Sequence, residues 1–136
     1  MQLVADGLND AEKAVKGSKV LLLGVAYKRD VDDVRESPAL SIIDRLRAKG
    51  ANVRYHDPFV KELNFEDAHI EASGEPLSSM PLSDDELKST DCVIIVTDHS
   101  EIDYKRVCSL APLIVDTRNA LNGELRSASK ARVIRL

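Results

Sequence analysis

The sequence contains no tryptophan, only two cysteines, and no apolar run of membrane length. Cys92 and Cys108 fall in no CxxC spacing and have no histidine cluster beside them, which leaves neither a zinc site nor a redox pair; both read as small buried hydrophobes. The longest apolar stretches, such as Val20 to Leu23 and Val93 to Val96, fall far short of the roughly 20 residues that a membrane helix needs. The opening MQLVADGLNDAEK carries acids where a secretory leader would place bases ahead of an apolar core. A reducing cytoplasm is the expected location. Positive charge is not in excess either, the formal net charge being -4. That balance argues against a surface built for nucleic-acid backbones, because counterion release requires a basic face. A local anion site remains open.

What is present describes one folded domain. At 136 residues, 43% of them hydrophobic and 31% charged, the chain has enough apolar surface to fold without disulfides. Leu3, Val4, Leu8, Ala11 and Val15 recur at near-helical spacing, and Gly17 follows as a stop, predicting an amphipathic helix over Leu3 to Val15. KVLLLGV, Lys19 to Val25, is a continuous apolar run of strand length, the pattern of a strand covered on both faces. Ser37-Pro38 signals a helix start, Leu40, Ile43 and Leu46 give that helix a core stripe, and Lys49-Gly50 closes it.

Further strands are predicted at Asn52 to His56, Cys92 to Thr97, Leu113 to Asp116 and Arg132 to Ile134. Helices are predicted after Ser83 and over Ile102 to Leu110. Between Phe59 and Ser83, Gly74, Pro76 and Pro81 break any long element, although His69 to Ala72 has the composition of a short edge strand. Strands alternating with helices imply an α/β class: a Rossmann-like, doubly wound parallel sheet of about five strands in three α/β/α layers, in the order 2-1-3-4-5 or a near variant.

In such sheets ligands lie beyond the carboxyl ends of the strands, so the polar residues after each apolar run carry the functional reading. The connection from Gly24 to Pro38 is far longer than a βα turn requires. It holds one glycine, not the GxGxxG of a dinucleotide site, but places Lys28, Arg29 and Arg35 near the start of the Pro38 helix, where cations and free amides suit a diphosphate. Solvated loop charge is the competing reading. Asp30, Asp32 and Asp33 invite a metal or a signalling-receiver interpretation, against which Arg29 and Arg35 stand ready to pair with those carboxylates.

Asp57, Asp98-His99 and Asp116-Thr117-Arg118 occupy the other strand ends. Arg118 is placed to reach a ligand across the sheet edge, with Asp116 to orient it, while Asp57 and Asp98 read as loop-capping carboxylates. His99 lacks a serine or cysteine nucleophile in a recognisable elbow, which favours a hydrogen-bonding role over acid-base work.

The run KVLLLGVAYKRDVDDVRESPAL, Lys19 to Leu40, closely resembles the start of the C-terminal domain of the UDP-glucose/GDP-mannose dehydrogenase family. The likeness continues through Gly50-Ala51, Tyr55-His56-Asp57-Pro58, CVIIVTDH from Cys92 and IVDTRNAL from Ile114, covering nearly everything from Lys16 onward. Members oxidise the 6-hydroxymethyl group of a nucleotide sugar to a carboxylate with two NAD molecules in turn, through a covalent intermediate on a cysteine. The resemblance implies that Tyr27, Lys28 and Arg118 hold the UDP-sugar substrate and that Arg35 reaches the NAD bound mainly by an N-terminal domain. It assigns no catalytic residue and no metal ligand to this chain. It also implies that residues 1–17 are a connecting helix left from the preceding domain and residues 18–136 the nucleotide-sugar-binding domain.

On this reading the partners are the NAD-binding and middle domains of a longer chain, that enzyme is a homo-oligomer, and this chain alone turns nothing over. YKRDVDDVRESPAL together with DHSEIDY looks nearer to the branch acting on UDP-N-acetylhexosamines. The alternative is a stand-alone nucleotide-binding or regulatory module on the same fold.

Overall fold

The run of five apolar or half-apolar residues at Lys19–Leu23 becomes β1, which lies inside the sheet and pairs in parallel on both sides. The computed structural model describes residues 2–35, 37–64 and 75–136. Along the chain these form α1 (Gln2–Asp10), β1, α2 (Pro38–Ala48), β2 (Asn52–His56), the two-residue strands β3 (Glu62–Leu63) and β4 (Leu77–Ser78), and α3 (Asp84–Ser89). Then follow β5 (Cys92–Ile95), α4 (Tyr104–Leu110), β6 (Leu113–Asp116), α5 (Gly123–Ala128) and β7 (Arg132–Arg135). The five-stranded sheet runs β2-β1-β5-β6-β7, every pair parallel. Counted among its own strands, that is the predicted order 2-1-3-4-5.

The strands read as unbroken apolar runs because both faces are covered, and the period of two sorts their side chains into two cores. Val20, Leu22, Ile94 and Val115 face α1 and α2, joining Val4 and Leu8 of the first helix and Leu40, Ile43 and Leu46 of the second. Leu21, Leu23, Val93, Ile95 and Ile114 face the other layer, against Leu87 of α3 and Val107 and Cys108 of α4. Three layers result. Both cysteines are buried, and burial pushes the Cys92 thiol up to about 12 and raises that of Cys108 as well.

The helix boundaries follow local chemistry. Ser37 caps α2 by accepting from the Ala39 amide, with Pro38 in the first turn, and Ser83 caps α3 by accepting from the Glu86 amide. At the far end of α2, Gly50 takes φ +86°, and the Gly50 and Ala51 amides close back on the Arg47 and Leu46 carbonyls.

The first helix ends earlier than its periodicity predicts, at Asp10 instead of Val15. Glu12 adopts φ 62°, while the amides of Glu12 and Lys13 return to the carbonyls of Asn9 and Leu8, the same closure that Gly50 makes in α2. Lys13 then reaches the Asp91 carboxylate at 2.7 Å, a tertiary tether absent from the sequence pattern.

Other differences are small. α4 begins at Tyr104 because the Asp103 side chain caps it, two residues later than predicted. α5, which buries no residue and so shows no apolar stripe, and the β3–β4 ladder were not among the predicted elements. The strand suggested at His69 to Ala72 lies outside the described residues.

Candidate functional site

Every polar residue singled out after a strand lies at the carboxyl edge of the parallel sheet, because all five strands point the same way. What distinguishes them is how each is held. Beyond β1 the chain turns at Gly24, φ +80°, whose α-carbon passes against Thr97 at the end of β5. The Val25 and Ala26 amides then donate to the Asp57 carboxylate at 2.8 and 3.3 Å, and the Thr97 hydroxyl donates to the Ala26 carbonyl at 2.6 Å.

The following residues, Tyr27, Lys28, Arg29 and Asp30, emerge into solvent. Tyr27 is 41% exposed and the Lys28 ammonium lies 5.7 Å from its ring centroid, a cation–π contact. Lys28 has no hydrogen-bond or ion-pair partner among the described residues.

The aspartates of this loop are engaged within it. Arg35 forks onto Asp33 with contacts of 3.1 and 3.0 Å, and these hydrogen bonds hold the Asp33 carboxyl below the ordinary carboxylate range. Asp30 accepts from the Ser100 amide at 2.8 Å and the Ser100 hydroxyl at 2.7 Å, which lowers its pKa too; Arg29 stands 3.9 Å away. The expectation that Arg29 and Arg35 pair with the loop carboxylates matches this geometry. Among the described residues no group of three or more His, Cys, Asp or Glu side chains is arranged around a metal position.

Asp57 is 2% exposed and organises two loops at once. One oxygen accepts from Val25, Ala26 and His99, the other from the Phe59 and Val60 amides. It caps loops, as the strand-end position predicts. His99 is fully buried: its Nδ1 accepts from the Asp30 amide at 2.8 Å, its Nε2 lies 2.8 Å from Asp57 Oδ2, and its ring rests on Phe59 at 4.9 Å. It faces no solvent and no nucleophile.

Asp116 plays the equivalent part at the end of β6, accepting from the backbone amides of Arg118, Ala120 and Leu121. It therefore shapes the Arg118 turn through the backbone amides, the Arg118 amide donating to it at 3.1 Å. The Arg118 Nε donates to the Val96 carbonyl at 2.8 Å, and the two terminal nitrogens of the fork have no partner among the described residues.

Arg118 also borders a cleft of about 510 Å³ between α1 and α2, floored by Ile94, Val96 and Val115 and reached by Pro38 from the end of the long loop. The structure thus brings Arg118 and the start of α2 to one cavity. Tyr27, Lys28 and Arg35 stay on the adjoining loop at the same sheet edge. Sequence reasoning did not foresee the cleft, its apolar floor or the part of Ser100, since nothing in the spacing sets Ser100 opposite Asp30.

A parallel doubly wound sheet with exposed cations at its carboxyl rim is an α/β frame of the nucleotide-binding kind. Residues 21–123 match the UDP-glucose/GDP-mannose dehydrogenase family, UDP binding domain, and the chain belongs to that family. It is 34% identical over 118 residues to a UDP-glucose 6-dehydrogenase from Rickettsia bellii, an alignment covering 83% of this chain and 26% of that protein. It is 31% identical over 122 residues to a UDP-N-acetyl-D-mannosamine dehydrogenase from Methanococcus aeolicus, covering 84% and 25%. The chain therefore spans about a quarter of the length of these relatives.

Among solved structures, it superposes on the UDP-N-acetyl-mannosamine dehydrogenase of Staphylococcus aureus with a TM-score of 0.66 at 28% identity, over 98% of this chain and 30% of that one. A UDP-D-ManNAc dehydrogenase from Pyrococcus horikoshii shares the fold at TM-score 0.72 and 23% identity, over 98% and 29%.

Proposed function

We propose that this chain is the UDP-sugar-binding domain of an NAD-dependent nucleotide-sugar 6-dehydrogenase, with Tyr27, Lys28 and Arg118 contacting the substrate. The observation that carries the reading is the pair of cations with no ion-pair partner among the described residues, Lys28 and the Arg118 fork, at one sheet rim, with Arg118 bordering a cleft with an apolar floor. A diphosphate needs such donors, and the apolar lining of the cleft, which includes Leu3 and Ile42, offers surface to the rest of a nucleotide. Relatives named for UDP-glucose and for UDP-N-acetylmannosamine both align with the chain, and we place its substrate among the UDP-N-acetylhexosamines on the strength of the YKRDVDDVRESPAL and DHSEIDY segments.

The residues present do not build a site for a whole NAD. The long loop after β1 holds a single glycine, Gly24, and that glycine is packed against Thr97, leaving no glycine-rich turn for a dinucleotide pyrophosphate. NAD belongs on this reading to another domain of the longer protein, with Arg35 contributing from this one. No residue here supplies a thiolate, since both cysteines are buried and their thiols raised. Residues 1–17 connect to the preceding domain, the complete enzyme is a cytoplasmic homo-oligomer, and residues 18–136 carry the binding function.

Titration calorimetry of the purified chain with UDP, GDP and UDP-sugars tests this directly. Saturable binding of UDP and UDP-sugars in preference to GDP is expected, with no NAD reduction in the presence of any of them. Absence of any nucleotide binding, or turnover by the chain alone, would overturn the reading.

A further inference from the structure

The exposed tip that presents Tyr27 and Lys28 is suspended between two anchors, and both anchors trace back to one buried pair from other loops. On the near side, Val25 and Ala26 donate their amides to Asp57. On the far side, the Asp30 amide donates to His99 Nδ1 at 2.8 Å, and the other ring nitrogen meets the same Asp57 at 2.8 Å. Asp57 and His99 are almost entirely shut off from solvent, at 2% and 0% exposure. Between the anchored positions lie Tyr27, whose amide donates to the Asp33 carbonyl at 2.6 Å, and then Lys28 and Arg29.

The hydrogen-bond pattern decides the state of the ring. A backbone amide can only donate, so Nδ1 accepts, and the ring proton sits on Nε2 and is donated to Asp57 Oδ2. His99 is thus a neutral imidazole with one definite tautomer, its two nitrogens read by two different loops. Asp30 adds backbone tension to this joint, since it holds φ 58°, a conformation unfavourable for a side chain bearing a Cβ. Its carboxylate is fixed by Ser100, the residue directly after His99. Tyr104 completes the cage by donating its hydroxyl to the His99 carbonyl at 3.0 Å. A loop in a left-handed conformation persists only where its surroundings over-determine it, and here those surroundings converge on the tip that carries the binding side chains.

We propose that His99 and Asp57 are positioning residues for the nucleotide-binding tip, with Asp30 and Ser100 as the outer catch that the tautomer of His99 keeps closed. The inference rests on Tyr27 and Lys28 contacting the nucleotide, but the joint itself is measurable without any ligand. Trypsin supplies the probe, because Lys28 and Arg29 are cleavage sites exposed on the tip.

His99→Gln keeps a donor directed at Asp57 and removes the acceptor for the Asp30 amide; His99→Asn keeps an acceptor near the Nδ1 position. Weakening one neutral hydrogen bond is expected to raise cleavage after Lys28 and Arg29 roughly three- to tenfold in His99→Gln, with His99→Asn recovering most of the native resistance. Asp30→Asn and Ser100→Ala, both at exposed positions, are expected to raise cleavage at the same two bonds while leaving thermal unfolding nearly unchanged. They decide the matter should His99 variants fail to fold. Nitrogen chemical shifts of the imidazole are expected to report a proton on Nε2.

UDP is expected to protect the tip of the native chain, and His99→Gln and Asp30→Asn to weaken UDP binding, with Tm moving little in Asp30→Asn. Cleavage at the tip unchanged in Asp30→Asn and Ser100→Ala, or a proton found on Nδ1, overturns the joint. Native chain that fails to bind UDP while the cleavage pattern behaves as described overturns the UDP reading and leaves the joint intact.

Discussion

Gly24 and Thr97 touch so closely that a Cβ placed on the glycine would lie 2.5 Å from the Thr97 carbonyl oxygen. This contact joins the end of β1 to the end of β5 at the root of the long loop, and the Gly24 amide donates on its other side to the His56 carbonyl at 2.9 Å. Gly24→Ala introduces both an impossible approach to backbone and a strained φ. A loss of about 3 kcal/mol or more is expected, read by denaturant unfolding, together with loss of UDP binding. A variant within about 0.5 kcal/mol of the native chain would show that the two strand ends separate readily.

Lys28 is exposed and has no hydrogen-bond or ion-pair partner among the described residues, so its replacement is expected to leave stability within about 0.5 kcal/mol, whereas loss of the Arg118 bond to the Val96 carbonyl is expected to cost about 1 kcal/mol. Binding should respond differently. A charge-assisted contact to phosphate contributes about 1.5–3 kcal/mol, so Lys28→Ala and Arg118→Ala are each expected to weaken UDP by roughly ten- to a hundredfold in calorimetry. Arg118→Lys is expected to restore little, because the Nε that donates to Val96 and the paired terminal nitrogens belong to a planar fork. Affinity unchanged in both alanine variants would remove these residues from the site.

The pH dependence has a definite sign. Asp30 and Asp33 are held below the usual carboxylate range by hydrogen bonds from Ser100 and Arg35. Asp91 is affected first by partial burial, which opposes ionisation, but the Lys13 ammonium and the Lys19 amide outweigh it and its pKa is lowered as well. Groups depressed in the folded state contribute stability above their unfolded values, near 4, and lose it as pH falls through their folded values. Tm is therefore expected to stay flat from neutrality to about pH 5 and to fall below about 4, with Asp91→Asn lowering the plateau and shallowing the acid limb. An acid limb unaltered by Asp91→Asn would count against the α1 tether.

Glu12 performs in α1 the turn that Gly50 performs in α2, at φ 62° against 86°. The side chain carries a penalty that glycine avoids. Glu12→Gly is expected to stabilise the chain by about 1 kcal/mol and Gly50→Ala to destabilise it by about the same, measured as shifts of denaturant midpoint. Opposite signs in both would mean that the two turns are not equivalent.

Much of the sheet was legible because its strands are continuous apolar runs, and a run such as CVIIVT has no other stable place than between two covered faces. The rim was legible for a related reason: once the strands are parallel, the residue after each run must sit at one edge, so Lys28, Asp57, His99 and Arg118 were locatable by counting. α5 was not, since GELRSA offers only the half-buried Leu125 to the core and an element without an apolar stripe leaves no period to read. The early end of α1 was missed because the left-handed turn falls on glutamate, a residue that does not announce it.

Sequence by itself determined the layers, the strand order and which side chains stand at the binding edge, because hydrophobic period and chain direction are local properties that a linear pattern carries. Tertiary structure alone decided which of those side chains remain available. Arg35 forks onto Asp33 yet stays exposed, His99 is buried between Asp57 and the Asp30 amide, and Lys28 and the Arg118 fork face outward. Pairing of that kind depends on distances between residues far apart in the chain, such as the 70 positions between Asp30 and Ser100, and only folding sets them.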